Sequence, residues 1–240
     1  MQWTRKKVLE ASERKEEERS QWREHTKELD ARKFVFLDES GSNIALTRLY
    51  AQAPKGKRAR GTLPRNRGKN MTLISSLRHG SNELDTFLLT RGKHCQARLP
   101  LFEPCLSLQG LGASLIVDGS ANTALFEIYI EQILAPSLEP GQMVIMDNLR
   151  IHKGNKVRQL IEARGCEVLF LPTYSPDLSP IEEAFSKIKA ILRRIGARTR
   201  EALQEALEYA LTTVSASDAS GWFSIVAIGL LNPRLRKAHE

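Results

Sequence analysis

The chain has 240 residues, a hydrophobic fraction of 41%, a formal net charge of +8 and a pI near 9.5. That length suits one large domain or two small ones with an ordinary buried core, and the basic balance calls for a polyanionic partner, of which nucleic acid is the commonest. A basic amphipathic helix for a membrane surface, a run of about 18 apolar residues for a membrane span and a signal peptide are all lacking, the first twenty residues being too charged for the last. Three cysteines, Cys95, Cys105 and Cys166, without a C-x-x-C spacing, suit a reducing compartment, so a cytoplasmic protein is expected.

Residues 1–30 are dense in charge and contain no Gly or Pro, which predicts a solvated helix or linker with Trp3, Val8 and Leu9 as a thin apolar stripe. Residues 33–40 (KFVFLDES) carry four apolar residues in a row and predict a strand buried on both faces. Residues 44–50 (IALTRLY) offer it an antiparallel neighbour. Residues 55–69 (KGKRARGTLPRNRGK) put seven basic residues, three Gly and one Pro into fifteen positions and must form an exposed loop. Strands follow at 71–77 (MTLISSL) and 113–119 (ASLIVDG). The segment between them, 79–107, has strand-like pieces such as TFLLT but no clear period. It reads as an insertion, a hairpin or loop protruding from the sheet and contributing no catalytic group.

Residues 122–134 predict a well-buried helix, ended by Pro136, Pro140 and Gly141. A short buried strand at 143–147 (MVIMD) precedes a helix at 155–164 with Val157, Leu160 and Ile161 inward and Gly165 in the C′ position. Residues 166–172 (CEVLFLP) are the next buried strand, and the strand–helix–strand order implies a parallel pair with a right-handed crossover. Ile181, Ala184, Phe185, Ile188, Ile191, Leu192 and Ile195 recur at helical spacing and predict a helix over 180–195. A last helix is expected over 199–214 through Leu203, Leu207 and Leu211, with Trp222 and Phe223 packed against it. The whole is an α/β chain with a mixed five-stranded sheet, three antiparallel strands followed by parallel ones, flanked by helices. Its domain spans 31–225, between the charged N-terminal helix or linker and a tail over 226–240.

Asp38 and Asp147 each close a run of buried apolar residues. A carboxylate there is costly unless a cation neutralises it, and Mg²⁺ is commonly held by one or two carboxylates with substrate phosphates and water. Aspartate also ends strands by making turns and caps, and Asp118, followed by Gly119, has the same pattern. Periodicity alone does not choose among the three. Ser179-Pro180-Ile181-Glu182 fits a capping box at a helix start, and Glu183 competes with Glu182. An aspartyl-nucleophile phosphotransferase would want Asp-x-Asp, whereas Asp38 is followed by Glu39 and Ser40.

FLDESG at 36–41, MDN at 146–148 with His152 shortly after, and YSPDLSPIEEAF at 174–185 together resemble the three acidic motifs of the mariner superfamily of DDE transposases, in particular its bacterial insertion-sequence branch (the IS-six-thirty type). Thirty-four residues separate Asp147 from Glu182, as in that family. The resemblance, over about 20–78 and 108–225, implies an RNase H-like fold and a nucleoid-associated enzyme. It implies cleavage of DNA phosphodiester bonds at element ends and strand transfer into target DNA. Asp38, Asp147 and Glu182 would be the catalytic ligands of two Mg²⁺ or Mn²⁺ ions, with Asp38 bridging both. It also makes Asn148 and His152 candidates for supporting the metal ligands, and double-stranded DNA and further copies of the chain the partners. Lys55, Lys57, Arg58, Arg60, Arg65, Arg67 and Lys69 are then the expected DNA contacts. Residues 1–30 hold one helix at most, so helix-turn-helix modules are expected on a separate N-terminal frame. The alternative is a catalytically inactive, DNA-binding remnant of a truncated transposase.

Overall fold

A computed structural model of the chain describes residues 11–79, 87–90, 104–107 and 110–231. In chain order its strands are β1 (Phe34–Ser42), β2 (Met71–Arg78), β3 (Phe87–Thr90), β4 (Pro104–Ser107), β5 (Ser114–Asp118), β6 (Met143–Met146) and β7 (Glu167–Phe170). They form one sheet in the order β4-β3-β5-β2-β1-β6-β7. The five expected strands make its centre: β1 pairs antiparallel with β2 and parallel with β6, β2 pairs antiparallel with β5, and β6 pairs parallel with β7.

The pleat of β1 divides the core in two. Phe34 and Phe36 face a cluster with Trp22, Phe185, Leu207 and Phe223, whereas Val35 and Leu37 face one with Phe126, Tyr129, Val157 and Ile161. The first face is covered by α1 (Glu16–Lys27), α5 (Ile181–Ile195), α6 (Arg200–Thr212) and α7 (Ala216–Leu231). The second is covered by α2 (Thr123–Tyr129), which continues through a π-helical turn (Ile130–Leu134) into α3 (Ala135–Ser137), and by α4 (Asn155–Glu162). Each fully buried side chain of this size contributes roughly 1.5–3 kcal/mol, so both layers hold the central strand firmly.

Several expectations are corrected. Residues 44–50 are not a strand: the Asn43 side chain accepts the Ala45 amide at 3.0 Å and starts a turn, and the antiparallel slot beside β1 is filled by β2 as far as Ser42–Met71. The described strands of the 79–107 segment, β3 and β4, do not protrude; they pair with each other, and β3 joins the sheet beside β5. Helix α7 runs through position 226 to Leu231, and the rest of the expected tail lies outside the described residues. The start of α7 is fixed by a capping box in which Ser215 and Asp218 bond each other's backbone amides, and Lys187 of α5 donates to Asp218 at 2.6 Å. The stripe Trp3, Val8 and Leu9 lies outside the described residues. Helix α1 is held instead by Trp22 and by Arg19, which is wholly buried and forks onto Asp177 at 2.9 and 2.6 Å.

Candidate active site

The parallel register of β1 and β6 sets Leu37 opposite Met146, so the next residue on each strand, Asp38 and Asp147, emerges at the same level. Neighbouring strands lie about 4.8 Å apart, which brings the two carboxylates to one edge of one cleft. Glu182 enters from the first turn of α5, and all three line the same space of about 400 Å³. The capping-box reading of Ser179–Glu182 fails, since no side chain caps this helix. Glu183, one position and about 100° further round the helix, does not line the cleft. Gly196, with φ +66°, closes α5 in the left-handed region that favours glycine.

The opposite wall is the loop after β7: Pro172, Thr173, Tyr174 and Ser175. Tyr174 has φ +55°, a sparsely populated conformation for a bulky side chain and one that clusters at functional sites. Asn148 also lines the cleft and reaches the Thr173 hydroxyl at 3.5 Å. Asp118 lies at the far end of β5, opposite Met71, and forms an ion pair with Arg200, away from the cluster.

Burial pushes the Asp38 carboxyl up to about 7; the Glu39 amide, 2.7 Å from Asp38 Oδ1, opposes this, and the charges of Glu182 and Asp147 add to it. Burial likewise raises Glu182, with Lys189 opposing and Asp147 adding. Desolvated, mutually repelling carboxylates with hard oxygen donors are what Mg²⁺ or Mn²⁺ would neutralise. Among the described residues, no three His, Cys, Asp or Glu side chains stand close enough in their present rotamers to hold one ion. Asp147 is instead turned to His152.

His152 was expected only as a supporting group, and Glu39 was not singled out at all. The pleat sends Glu39 to the face opposite Asp38, where His152 Nε2 lies 3.0 and 3.1 Å from its carboxylate oxygens. His152 Nδ1 lies 2.6 Å from Asp147 Oδ1, at ion-pair distance, although the ring N–H is not aimed squarely at that oxygen. The imidazole is buried and packs on Phe126 at 4.5 Å between ring centres. Burial opposes its charge, but the bonds to Asp147 and Glu39 outweigh this and raise it to about 10. The signal in the sequence was the Glu directly after an Asp that closes a buried apolar run, which pleat alternation sends to the other face.

The seven basic residues of 55–69 are all exposed, on a segment without regular structure, and none meets a carboxylate among the described residues.

Residues 105–204 match the family described as DDE superfamily endonuclease, a span that includes Asp147 and Glu182. No curated protein matches the sequence. Among solved structures, the chain is similar to Mos1 transposase in a paired-end complex with the left transposon end, at 17% identity and TM-score 0.67, covering 96% of this chain and 65% of that one. It is similar to the Mos1 mariner paired-end complex with Mn at 17% identity and TM-score 0.64, over 96% and 65% of the two chains. The Mos1 transposase catalytic domain with Raltegravir and Mn matches at 14% identity and TM-score 0.60, over 93% and 94%. The chain thus spans 65% of the length of the Mos1 chains in those paired-end complexes. The fold is the RNase H-like one of that catalytic domain.

Proposed function

We propose that this chain is the catalytic part of a DDE transposase of the bacterial insertion-sequence branch of the mariner superfamily, with residues 31–225 as its catalytic domain. In this reading it cuts DNA phosphodiester bonds at element ends and joins them to target DNA. The observation that carries it is the register of β1 and β6, which sets Asp38 and Asp147 side by side with Glu182 facing them from α5.

Asp38, Asp147 and Glu182 would together hold two divalent ions. Such a pair supplies activation of the attacking water or 3′-hydroxyl and neutralisation of the leaving oxygen in an in-line displacement. The chain's own groups do the rest. His152 holds the Asp147 carboxylate beside the cleft, and Glu39 keeps the imidazole in place. The loop at Tyr174 forms one wall of the cleft, and Asn148 stands where it can donate to a bound phosphate. The basic loop 55–69 neutralises phosphates of the duplex. Copies of the chain would assemble on the DNA.

The test is nicking of supercoiled plasmid with Mg²⁺ or Mn²⁺. The wild type should nick, and Asp147→Ala should be inactive yet folded and still able to bind DNA. Metal-independent nicking would contradict the metal-site reading, and no nicking by the wild type with DNA binding retained would favour a non-catalytic DNA-binding remnant.

A further inference from the structure

At the far end of α5 from Glu182 lies a second groove, of about 540 Å³. Its walls are the last turn of α5, the 47–51 stretch and the 59–63 part of the basic loop. Five arginines line it, Arg48, Arg60, Arg193, Arg194 and Arg198, and no lining residue is acidic. Tyr50, 89% exposed, stands at its edge.

The fold accounts for two of the five. Arg198 donates to the carbonyls of Ile44 and Leu46 at 2.9 and 2.8 Å and so holds the turn after β1, and Arg48 reaches the Arg194 carbonyl at 3.5 Å. The carboxyl end of α5 carries about half a negative charge, which one or two cations satisfy. Arg60, Arg193 and Arg194 remain, with no carboxylate beside them among the described residues. Like charges gathered in one groove repel each other unless a polyanion occupies it.

We propose that this groove binds the phosphodiester backbone of duplex DNA, as a contact separate from the carboxylate cleft. The proposal rests on reading that cleft as a DNA-cutting site and adds where the rest of the duplex lies. Ile195 lies thirteen positions beyond Glu182 on α5; at 1.5 Å per residue the groove is about 20 Å from the cleft. A strand advances 3.4 Å per phosphate, so a duplex along α5 meets the groove about six base pairs from the bond at the carboxylates. Arg193, Arg194 and Arg60 supply charge, and the Tyr50 hydroxyl adds a neutral donor of a kind common on phosphates.

The experiment compares wild type, Arg193→Ala/Arg194→Ala and Arg193→Lys/Arg194→Lys, using a fluorescent 24-base-pair duplex of arbitrary sequence in EDTA over a series of salt concentrations. The alanine pair should bind about tenfold more weakly near 0.1 M salt, with a log–log slope shallower by about 1.8, because each phosphate contact contributes about 0.9. The lysine pair should restore most of both, since charge and not shape is read. Unchanged affinity and slope in the alanine pair, with the wild type binding the duplex, would overturn the groove and leave the cleft reading standing. A wild type that binds no duplex would overturn both. Should the alanine pair lose thermal stability, the lysine pair decides: failure to restore binding at wild-type stability also overturns the groove.

Discussion

His152 Nδ1 and Asp147 Oδ1 lie 2.6 Å apart although five positions separate the residues, because the short helical turn after β6 folds the imidazole back under the strand end. The other ring nitrogen meets Glu39, 113 positions away in sequence. A buried base between two carboxylates fixes both, and groups that orient metal ligands typically change affinity or activity 10–100-fold when removed. His152→Ala should therefore weaken Mn²⁺ binding, measured by calorimetry, by about 10–100-fold. It should also cost about 3–5 kcal/mol in urea unfolding, because Glu39 is left buried without its partner. Glu39→Gln, which keeps an acceptor for His152, should lose much less than Glu39→Ala. Equal metal affinity in all three variants and the wild type would remove the positioning role.

The same groups set a pH dependence. Asp38, pushed up to about 7, is protonated in both folded and unfolded chains below about pH 4, and its penalty on the fold grows as pH rises through 7. His152, raised to about 10, gives stability that is fully present below about 6.5 and is lost as pH rises through 10. Asp218, held down to about 2 by Lys187 and Ser215 despite its burial, titrates below this window. In EDTA the Tm should fall from pH 5 to pH 8, and Mg²⁺ should raise it more at pH 8 than at pH 5. A flat Tm with no metal effect would contradict the arrangement.

Arg19 ties α1 to the loop that leads into α5. Its side chain is wholly buried and its fork is bidentate, while Asp177 keeps 32% exposure. Removing one partner of a buried pair costs about 3–5 kcal/mol, and the exposure of Asp177 puts this pair at the low end. Arg19→Ala should lower unfolding free energy by about that amount and loosen the Glu182 end of the cleft, whereas Lys27→Ala, exposed on the same helix beside Glu24, should change little. Similar small losses in both would show that α1 is merely laid on the surface.

Much of the centre was legible because buried strands and amphipathic helices announce themselves by period. FVFL, MVIM and the seven apolar positions of α5 each had one available structure. Asp38 and Asp147 were visible as carboxylates ending such runs, but nothing local distinguished them from Asp118. Only the strand register does that. Glu39, Arg19 and the Lys187–Asp218 contact depend on partners far away in sequence, which no window can contain. Residues 44–50 misled because apolar residues beside a real strand look like its neighbour; Asn43 was the turn signal. Helix α7 is apolar around most of its circumference and hid its period, although the Ser215–Asp218 capping box marked its start.

The exposed loop at 55–69 should account for a large part of the salt dependence of DNA binding. Changing Arg58, Arg60, Arg65 and Arg67 to Ala should flatten the log–log slope by up to about 3.6, at about 0.9 per lost phosphate contact. The loss should be uniform across unrelated duplexes. A loss confined to one sequence would mean base-edge reading, which costs about 1–3 kcal/mol per mismatched pair.

The central claim is that Asp38, Asp147 and Glu182 form one divalent-metal site. Anomalous diffraction from crystals soaked in Mn²⁺ tests it most directly. Manganese peaks should lie between these three carboxylates, with Asp147 released from His152 or shared with it, and should vanish in Asp38→Asn. Manganese coordinated by Glu183 in place of Glu182, or found only away from the β1–β6 strand ends, would contradict the account.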